Sequence, residues 1–237
     1  MDRLSDMNFD ADAPRDFSDM TLDELRIALA PDIAASAIFD GWTEEALVAA
    51  AEMAGADVDI AKLAFPRGAP GKQAMDMIEA WITSVDLAME AEWPAERLAT
   101  LKIRERIRTL VAFRLDAVAH IDEAVRRALA VMAMPLNAPR AARLGWRSAD
   151  IMWRLAGDTA TDYNHYTKRA ILAGIYSATL AVFVNDDSEG KADTHAFLER
   201  RIDGVMKFEK VKHQLLNSDR ELPSLTRFLG RLRYPSR

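Results

Sequence analysis

The chain has 237 residues, of which 50% are hydrophobic and 29% charged, a balance typical of a globular protein rather than a disordered or membrane-embedded one. It contains no cysteine, which excludes a disulfide framework, a thiol nucleophile and thiolate metal ligands. Its formal net charge of −6 disfavours general nucleic-acid binding, because such binding depends mainly on Lys and Arg neutralising phosphates.

Residues 1–20 are rich in Asp and Met and show no sustained hydrophobic periodicity, so we expect a flexible leader before the first helix. They lack the apolar run of a secretory signal and the Arg-rich, acid-poor composition of a transit peptide, which favours a cytoplasmic, bacterial chain. Thr21 and Glu24 have the spacing of a capping box. We predict a helix from there to about Gly41, which Pro31 is expected to kink or shorten.

Two shorter helices are predicted next. Thr43 precedes two glutamates, the arrangement of an N-cap with acids in the first turn, and this helix should stop at Gly55. A third helix is expected at about 58–65, stopped by Pro66. Together the three helices predict a helix-turn-helix-like subdomain over residues 21–71.

A larger helical domain is predicted over residues 72–216, from apolar residues that recur at helical spacing. The pattern at 103–132 is longer than an average helix and should break once. The predicted helices are 72–89, the broken pattern at 103–132, 141–155, a helix from about 162, and 194–206. No alternation of apolar and polar residues indicates a strand, so the predicted fold class is all-α.

The helix expected from about residue 162 carries a long apolar run at 171–184. This run is shorter than the ~20 residues that cross a bilayer, so we predict a buried helix. Small residues recur along it at helical spacing, which suits ordinary core packing, a dimer seam or a slot for an apolar ligand. They are Ala170, Ala173, Gly174, Ser177, Ala178 and Ala181.

No motif in the chain has the spacing of a catalytic or cofactor site. The glycines are dispersed rather than gathered in a phosphate-binding loop, and there is no nucleophile elbow. The histidines lack the helical spacing of paired metal ligands. We therefore expect no catalytic residue, no metal and no cofactor. The histidines are His120, His165, His195 and His213.

The densest cluster of polar residues is the segment 157–169. Helix capping explains much of it, with Thr161 as the N-cap and Asp162 at the positive end of the helix. A catalytic site and an interaction surface remain as alternatives. Tyr166 beside Arg169 favours an interaction surface, because both residue types are enriched at protein interfaces.

The same region resembles the coenzyme Q biosynthesis protein nine family. The resemblance is carried by WRSADIMW at 146–153, AGD at 156–158 and TDYNHYTKRA at 161–170. Shorter matches at 41–43, 65–68 and 193–202 extend it over about 22–215. Because the segments are long and in order, the resemblance is specific.

The resemblance implies a fold similar to that of the TetR regulators, in which a helix-turn-helix subdomain precedes a helical domain that dimerises and encloses an apolar ligand. It also implies a function as a lipid-binding accessory protein of ubiquinone biosynthesis. Such a protein would present a polyprenylated intermediate to the di-iron demethoxyubiquinone hydroxylase at a membrane. A homodimer without enzymatic activity is therefore expected.

Three groups of site residues follow from this resemblance. The candidate lipid contacts are Trp146, Met152, Trp153, Leu172, Ile175, Tyr176 and Phe183. The candidate partner-binding residues are Asp162, His165, Tyr166 and Arg169. The family carries Trp where this chain has His165, so a large apolar anchor is missing there. The third group lies in the C-terminal tail.

Residues 217–237 are predicted to form an amphipathic tail that binds the surface of the inner membrane. Its apolar and basic residues fall on opposite faces of a helix. The alternative is that the apolar face packs back on the protein. The apolar residues are Leu225, Phe228, Leu229 and Leu232, and the basic residues are Arg227 and Arg231.

Two rival functions are a TetR-like, ligand-sensing transcription regulator and an enzyme centred on the segment 157–169. The expected recognition helix argues against the regulator. Asp57 and Asp59 would repel phosphates, and the helix has no Arg, Asn or Gln for contacts with bases. We therefore expect no specific nucleic-acid partner.

Overall fold

A computed structural model describes residues 16–160 and 163–216. No strand occurs in these ranges, so the predicted all-α fold class is confirmed. Short 3-10 helices lie at Ala119–Ile121 and Glu189–Lys191. The α-helices are α1 (Leu22–Asp40), α2 (Glu44–Ala54), α3 (Val58–Ala64), α4 (Lys72–Glu92), α5 (Ala95–Ala99), α6 (Ile103–Asp116), α7 (Asp122–Met132), α8 (Ala138–Leu155), α9 (Tyr163–Phe183) and α10 (Ala192–Leu216).

Local signals set the start of the first helices as the sequence predicted. The Thr21 hydroxyl accepts from the Glu24 amide, and the Glu24 carboxylate accepts from the Thr21 amide at 2.8 Å, which completes the capping box. Thr43 caps α2. Helix α1 continues through Pro31 to Asp40, so the proline does not shorten it. Buried residues on both sides of Pro31, including Leu29 and Ile33, stabilise the helix by packing.

The larger set of helices agrees with the predicted pattern except at helix boundaries and in one additional short helix. The long pattern breaks once, between α6 and α7. The short helix α5 was not predicted. Helix α8 starts at Ala138, earlier than expected, because Pro139 occupies the first turn, where a missing N–H costs nothing. Helix α10 ends at Leu216, later than expected, because Lys, Glu, Gln and Leu favour helix.

Trp42 connects the helix-turn-helix region to the larger set of helices. Its indole N–H donates to the carbonyl of Ala124 at 3.0 Å. Its ring lies 5.2 Å from the ring of Trp81, between centroids. Both side chains are buried, so this contact fixes α4 and α7 against the start of α2.

The described part of the chain divides into two compact units between residues 199 and 200, a boundary that falls within α10. The predicted divisions at 20, 71 and 216 remain predictions. Residues 1–15 of the expected leader, and the whole expected tail at 217–237, lie outside the described residues.

Candidate functional site

An apolar cavity of about 440 Å³ lies among α4, α6, α7, α8 and α9. Its lining is mainly aliphatic and aromatic, with Trp81 and Val85 from α4, Leu129 from α7 and Leu180 from α9. Both its size and its apolar lining match the ~300–1,000 Å³ sites that hold small molecules in proteins. This cavity is therefore the candidate ligand-binding site.

Small residues keep the space in the cavity open. Gly145 on α8 and Gly174 on α9 line it, and a Cβ atom added to either would meet no atom within 4 Å. Ala173 and Ser177 line it as well. The small-residue stretch of α9 thus borders a cavity, as the ligand-slot interpretation predicts. Ala170 and Ala181 on the same helix are exposed.

Ion pairs connect α4 to α8 beside the cavity. Arg140 on α8 lies 2.7 Å from Asp76 and 2.5 Å from Glu79, both on α4. Arg147, two turns further along α8, lies 3.5 Å from Glu79 and donates to the Thr83 hydroxyl at 2.7 Å. Burial alone would lower the pKa of Arg140, but its hydrogen bonds to Glu79 and Asp76 outweigh that effect and raise it. These pairs hold the two lining helices together.

The predicted lipid contacts are mostly separate from this cavity. Of the seven residues, Tyr176 lines it. Met152, Leu172 and Phe183 are fully buried and pack in the core. Trp153 donates from its indole to the carbonyl of Lys168 at 3.0 Å. The remaining two, Trp146 and Ile175, are half-buried.

One sequence pattern includes several residues that line the cavity. The helix predicted at 72–89 rests on an apolar stripe of Met75, Ile78, Ile82 and Val85, and the last three of these residues line the cavity. An apolar stripe that packs in a core and an apolar stripe that lines a cavity have the same helical spacing. The sequence alone therefore did not show that these residues line a cavity.

A second site, at the start of α9, is a network of ion pairs around the buried side chain of Arg169. The guanidinium lies 2.5 Å from Asp150 on α8 and 2.9 Å from Asp158 in the loop before α9. It also donates to the carbonyl of His165 at 3.1 Å. Lys168 lies 2.6 Å from the other oxygen of Asp158. The network therefore joins the end of α8, the loop and the first turns of α9.

The charge state of Asp158 follows from these contacts. Burial alone would raise the pKa of its carboxyl, but hydrogen bonds from Lys168 and Arg169 outweigh that effect and hold the pKa below its usual range. The carboxylate is therefore charged at neutral pH. It is fully engaged by two cations, which suits a structural anchor better than a proton-transferring group.

Arg169 is one of the predicted partner-binding residues. Only 2% of its side chain is exposed, because the carboxylates of Asp150 and Asp158 enclose the guanidinium. It therefore supports the surface from below. The other predicted positions in this segment, Thr161 and Asp162, lie outside the described residues, as do the six predicted membrane contacts in the tail.

Above the network lies an aromatic surface patch, formed by Trp146, His165 and Tyr166. Tyr166 is 62% exposed, and its ring centroid lies 6.2 Å from that of Trp146 and 5.1 Å from that of His165. The Nδ1 of His165 donates to the carbonyl of Ala160 at 3.0 Å, which orients its ring. The rings of Trp146 and His165 therefore flank the exposed ring of Tyr166.

Among residues 16–160 and 163–216, no group of three or more His, Asp or Glu side chains has the arrangement of a metal site. None of the described helices combines the length and apolar character needed to cross a membrane.

Comparison with known proteins gives related sequences and a related fold. Residues 138–209 match the COQ9 family model. The chain is 31% identical to the rat "Ubiquinone biosynthesis protein COQ9, mitochondrial", over 77% of this chain and 59% of the rat protein. The human protein of the same name is also 31% identical, over 77% of this chain and 58% of its own length. The chain thus spans about three-fifths of these relatives.

Part of the chain is more similar to amphibian relatives. It is 42% identical to the COQ9-B protein of Xenopus laevis over 80 residues. These 80 residues cover 34% of this chain and 27% of the Xenopus protein. Among solved structures, a TetR transcriptional regulator from Nitrosomonas europaea aligns with a TM-score of 0.59 and 22% identity, over 76% of this chain and 96% of the regulator. This alignment confirms the predicted TetR-like fold.

Proposed function

The chain belongs to the COQ9 family, and on that premise we propose that it is a lipid-binding accessory protein of ubiquinone biosynthesis, which presents a polyprenylated intermediate to the demethoxyubiquinone hydroxylase at a membrane. The observation that carries the proposal is the apolar cavity among α4, α6, α7, α8 and α9. The protein itself catalyses no step in this proposal.

The energetics of an isoprenoid chain explain why such a carrier is useful. Leaving apolar chain in water costs about 0.8 kcal/mol for each CH₂ group, so a protein that shields part of the chain lowers the cost of moving it. At about 440 Å³ the cavity suits one end of a long molecule. We propose that the remainder of the chain extends beyond it.

Filling the cavity tests this proposal. Gly145→Leu places an isobutyl group where a Cβ atom would meet nothing within 4 Å, so the side chain occupies the space of the ligand. We expect binding of a short prenylated benzoquinone, followed by quenching of tryptophan fluorescence, to weaken at least about tenfold. The thermal midpoint should not fall, because Leu favours helix over Gly by roughly 0.5–1 kcal/mol.

Gly145→Ala is the matched control. It gives α8 a similar gain in helix propensity but adds only one carbon, so binding should stay near that of the wild type. Equal affinities of the Leu variant and the wild type would show that the ligand does not occupy this cavity.

We propose further that the hydroxylase docks on the aromatic patch formed by Trp146, His165 and Tyr166. Tyr166 is exposed but flanked by the other two rings, so it can be buried by a partner without much loss of side-chain freedom. Arg169 and Asp158 below hold its helix in place. Asp162, which the family resemblance also assigns to this contact, stays part of the proposal.

Tyr166→Ala should therefore weaken association with the hydroxylase at least about tenfold, since aromatic residues are common hot spots of interfaces. Isothermal titration calorimetry with the purified hydroxylase would measure it. Phe39→Ala is the control, because Phe39 is 79% exposed and lies on α1. If Tyr166→Ala weakened binding of the prenylated benzoquinone but left docking of the hydroxylase unchanged, Tyr166 would be assigned to the ligand site and not to the partner site.

The rival function as a DNA-binding regulator receives less support. Helix α3, in the position of a recognition helix, starts at the acidic N-cap Asp57 and exposes Ile60 and Leu63. Its one basic residue, Lys62, lies 4.0 Å from Glu44. An acidic and apolar face repels phosphate and offers no bidentate contact to bases.

The remaining parts of the proposal concern assembly and location. We propose a homodimer in which the exposed small residues of α9, such as Ala170 and Ala181, allow close approach of helices. The tail at 217–237 would bind anionic headgroups through Arg227 and Arg231. The relatives are named as mitochondrial. For this chain we propose a peripheral position on the cytoplasmic face of a bacterial inner membrane.

A further inference from the structure

The turn between α7 and α8 exposes large apolar side chains. Leu136 is 84% exposed, the highest fraction among the exposed large hydrophobic residues of the described ranges, and Met134 is 51% exposed. Pro135 between them is exposed as well. Single exposed apolar residues are ordinary on a protein surface, but three in succession form an apolar projection. We call residues 134–136 the α7–α8 tip.

Hydrogen bonds hold the α7–α8 tip in its exposed position. The side chain of Asn137 is buried, and its amide donates to the carbonyl of Val131 at 2.8 Å. The backbone N–H of Asn137 donates to the carbonyl of Met134 at 2.9 Å and closes the turn. Folding Leu136 back onto the core would break these bonds, so the exposure is a property of the fold.

The α7–α8 tip adjoins the apolar cavity. Met132, at the end of α7, and Ala142, in the second turn of α8, line the cavity on either side of the tip. Ala142 is also exposed, so the cavity reaches the surface close to the tip. An apolar surface that continues from a cavity to an exposed turn gives an apolar molecule a path that avoids water.

The chain around the tip is basic. Residues 124–149 contain five arginines and no Asp or Glu. Four of the arginines pair with carboxylates outside this segment, and each of those carboxylates is shared by two cations, as Asp76 is by Arg140 and Lys72. Cations therefore outnumber carboxylates within these pairs. The five arginines are Arg126, Arg127, Arg140, Arg143 and Arg147.

Arg143 is the arginine that, among the described residues, pairs with no carboxylate. Its side chain is exposed, and its Nε–H donates at 3.4 Å to the carbonyl of Pro139, which points the guanidinium back toward the tip. The first turn of α8 carries no acidic residue. Apolar side chains beside an exposed cation are typical of elements that enter a lipid interface, because the apolar groups lie below the headgroups and the cation binds phosphate.

We infer that the α7–α8 tip inserts into the surface of an anionic phospholipid bilayer, with Met134 and Leu136 below the headgroups and Arg143 at the phosphates. This contact is separate from the one proposed for residues 217–237. It rests on the proposed function in one respect, that the cavity beside the tip takes an apolar ligand. With the tip in the bilayer, the cavity opens next to the lipid and the ligand enters without crossing water.

The absence of cysteine from the chain allows a fluorescent label to be placed at one chosen position. Leu136→Cys is labelled with acrylodan, and the full-length chain is mixed with vesicles of phosphatidylcholine, either alone or mixed with phosphatidylglycerol. We expect the emission to shift to shorter wavelength with the anionic vesicles and much less with the neutral ones. Added salt should reduce the shift, because it screens the charge of the headgroups.

Glu96→Cys, labelled in the same way, is the matched control. The tip lies at the start of α4, since a Cβ atom added to Gly71 would lie 3.2 Å from the side chain of Asn137. Glu96 is exposed on α5, beyond the opposite end of α4, whose 21 residues span about 30 Å. The emission of this label should therefore stay unchanged.

Substitutions in the unlabelled chain give a second measurement, by co-sedimentation with the anionic vesicles. Met134→Ser combined with Leu136→Ser should weaken binding at least about tenfold. Arg143→Gln should weaken it about fivefold. All three side chains are exposed, so the thermal midpoint should not fall. Met53→Ser removes an apolar side chain that is 76% exposed on α2, and should leave binding unchanged.

The outcomes separate this inference from the proposed function. If the chain sediments with the vesicles but the label at position 136 does not respond, the inference is overturned and the proposed contact of the tail stands. A response of that label to the purified hydroxylase and not to vesicles would make the tip a protein-docking site and overturn the inference. If Gly145→Leu leaves benzoquinone binding unchanged while the label still responds to anionic vesicles, the proposed ligand site fails and the bilayer contact is confirmed.

Discussion

Arg169→Met is expected to destabilise the protein by about 3 kcal/mol, which is the low end of the cost of breaking a buried ion pair. The change leaves Lys168 as the only one of the two cations that still pairs with the buried carboxylate of Asp158, and it removes a hydrogen bond that fixes the first turns of α9. Asp150 is partly exposed, so water recovers some of the loss on that side. Chemical denaturation followed by circular dichroism would measure the effect.

Arg154→Met is the matched control for this experiment. Arg154 pairs with the same Asp150, at 3.1 Å, but its side chain is 62% exposed. Exposed pairs contribute about 0–1 kcal/mol, so the control should stay close to the wild type. If the two substitutions lowered stability equally, the burial of Arg169 would contribute no extra stability. The network would then not be the structural anchor of α9.

Asp186→Ala is expected to destabilise the protein by about 2–3 kcal/mol, because hydrogen bonds to charged groups are among the stronger ones. The Asp186 carboxylate accepts from the amide and hydroxyl of Ser188 and from the amide and hydroxyl of Thr194, the last two at 2.7 and 2.6 Å. Thr194 is fully buried, so its polar groups would be left without this acceptor. Thermal and urea unfolding would both report the loss.

Asp187→Ala is the matched control. The neighbouring Asp187 is exposed, so this substitution should change stability little.

The stability that Asp186 contributes should also depend on pH. Burial alone would raise the pKa of Asp186, but hydrogen bonds from Ser188 and Thr194 outweigh that effect and hold it well below its usual range. The stabilisation is therefore present above the unfolded pKa of about 4 and is lost as the pH falls below it. A wild-type advantage that persisted unchanged to pH 2 would contradict this explanation.

Helix α9 serves both proposed sites. Its first turns carry the aromatic patch with Tyr166, and its later turns line the cavity with Tyr176 and Leu180. Arg169 lies between them and anchors the helix to α8. A ligand site and a docking surface on one anchored helix are compatible with a protein that presents its ligand to a partner.

The amino-acid sequence alone determined the features that depend on near neighbours in the chain. The capping box at Thr21, the N-cap at Thr43 and the break between α6 and α7 each depend on residues within a few positions of one another, whose hydrogen bonds and helical spacing the sequence displays directly. The TetR-like fold followed from an ordered family resemblance, which the comparisons confirmed.

Only the tertiary structure decided which apolar residues face a cavity and which charges are buried. Met152 and Leu172 pack in the core, whereas Trp81 lines the cavity, and all three sit in apolar helical stripes. Asp86 and Arg114 belong to different helices, and their pairing depends on how α4 and α6 cross. Burial depends on contacts between residues that are distant in sequence, and no local pattern records those contacts.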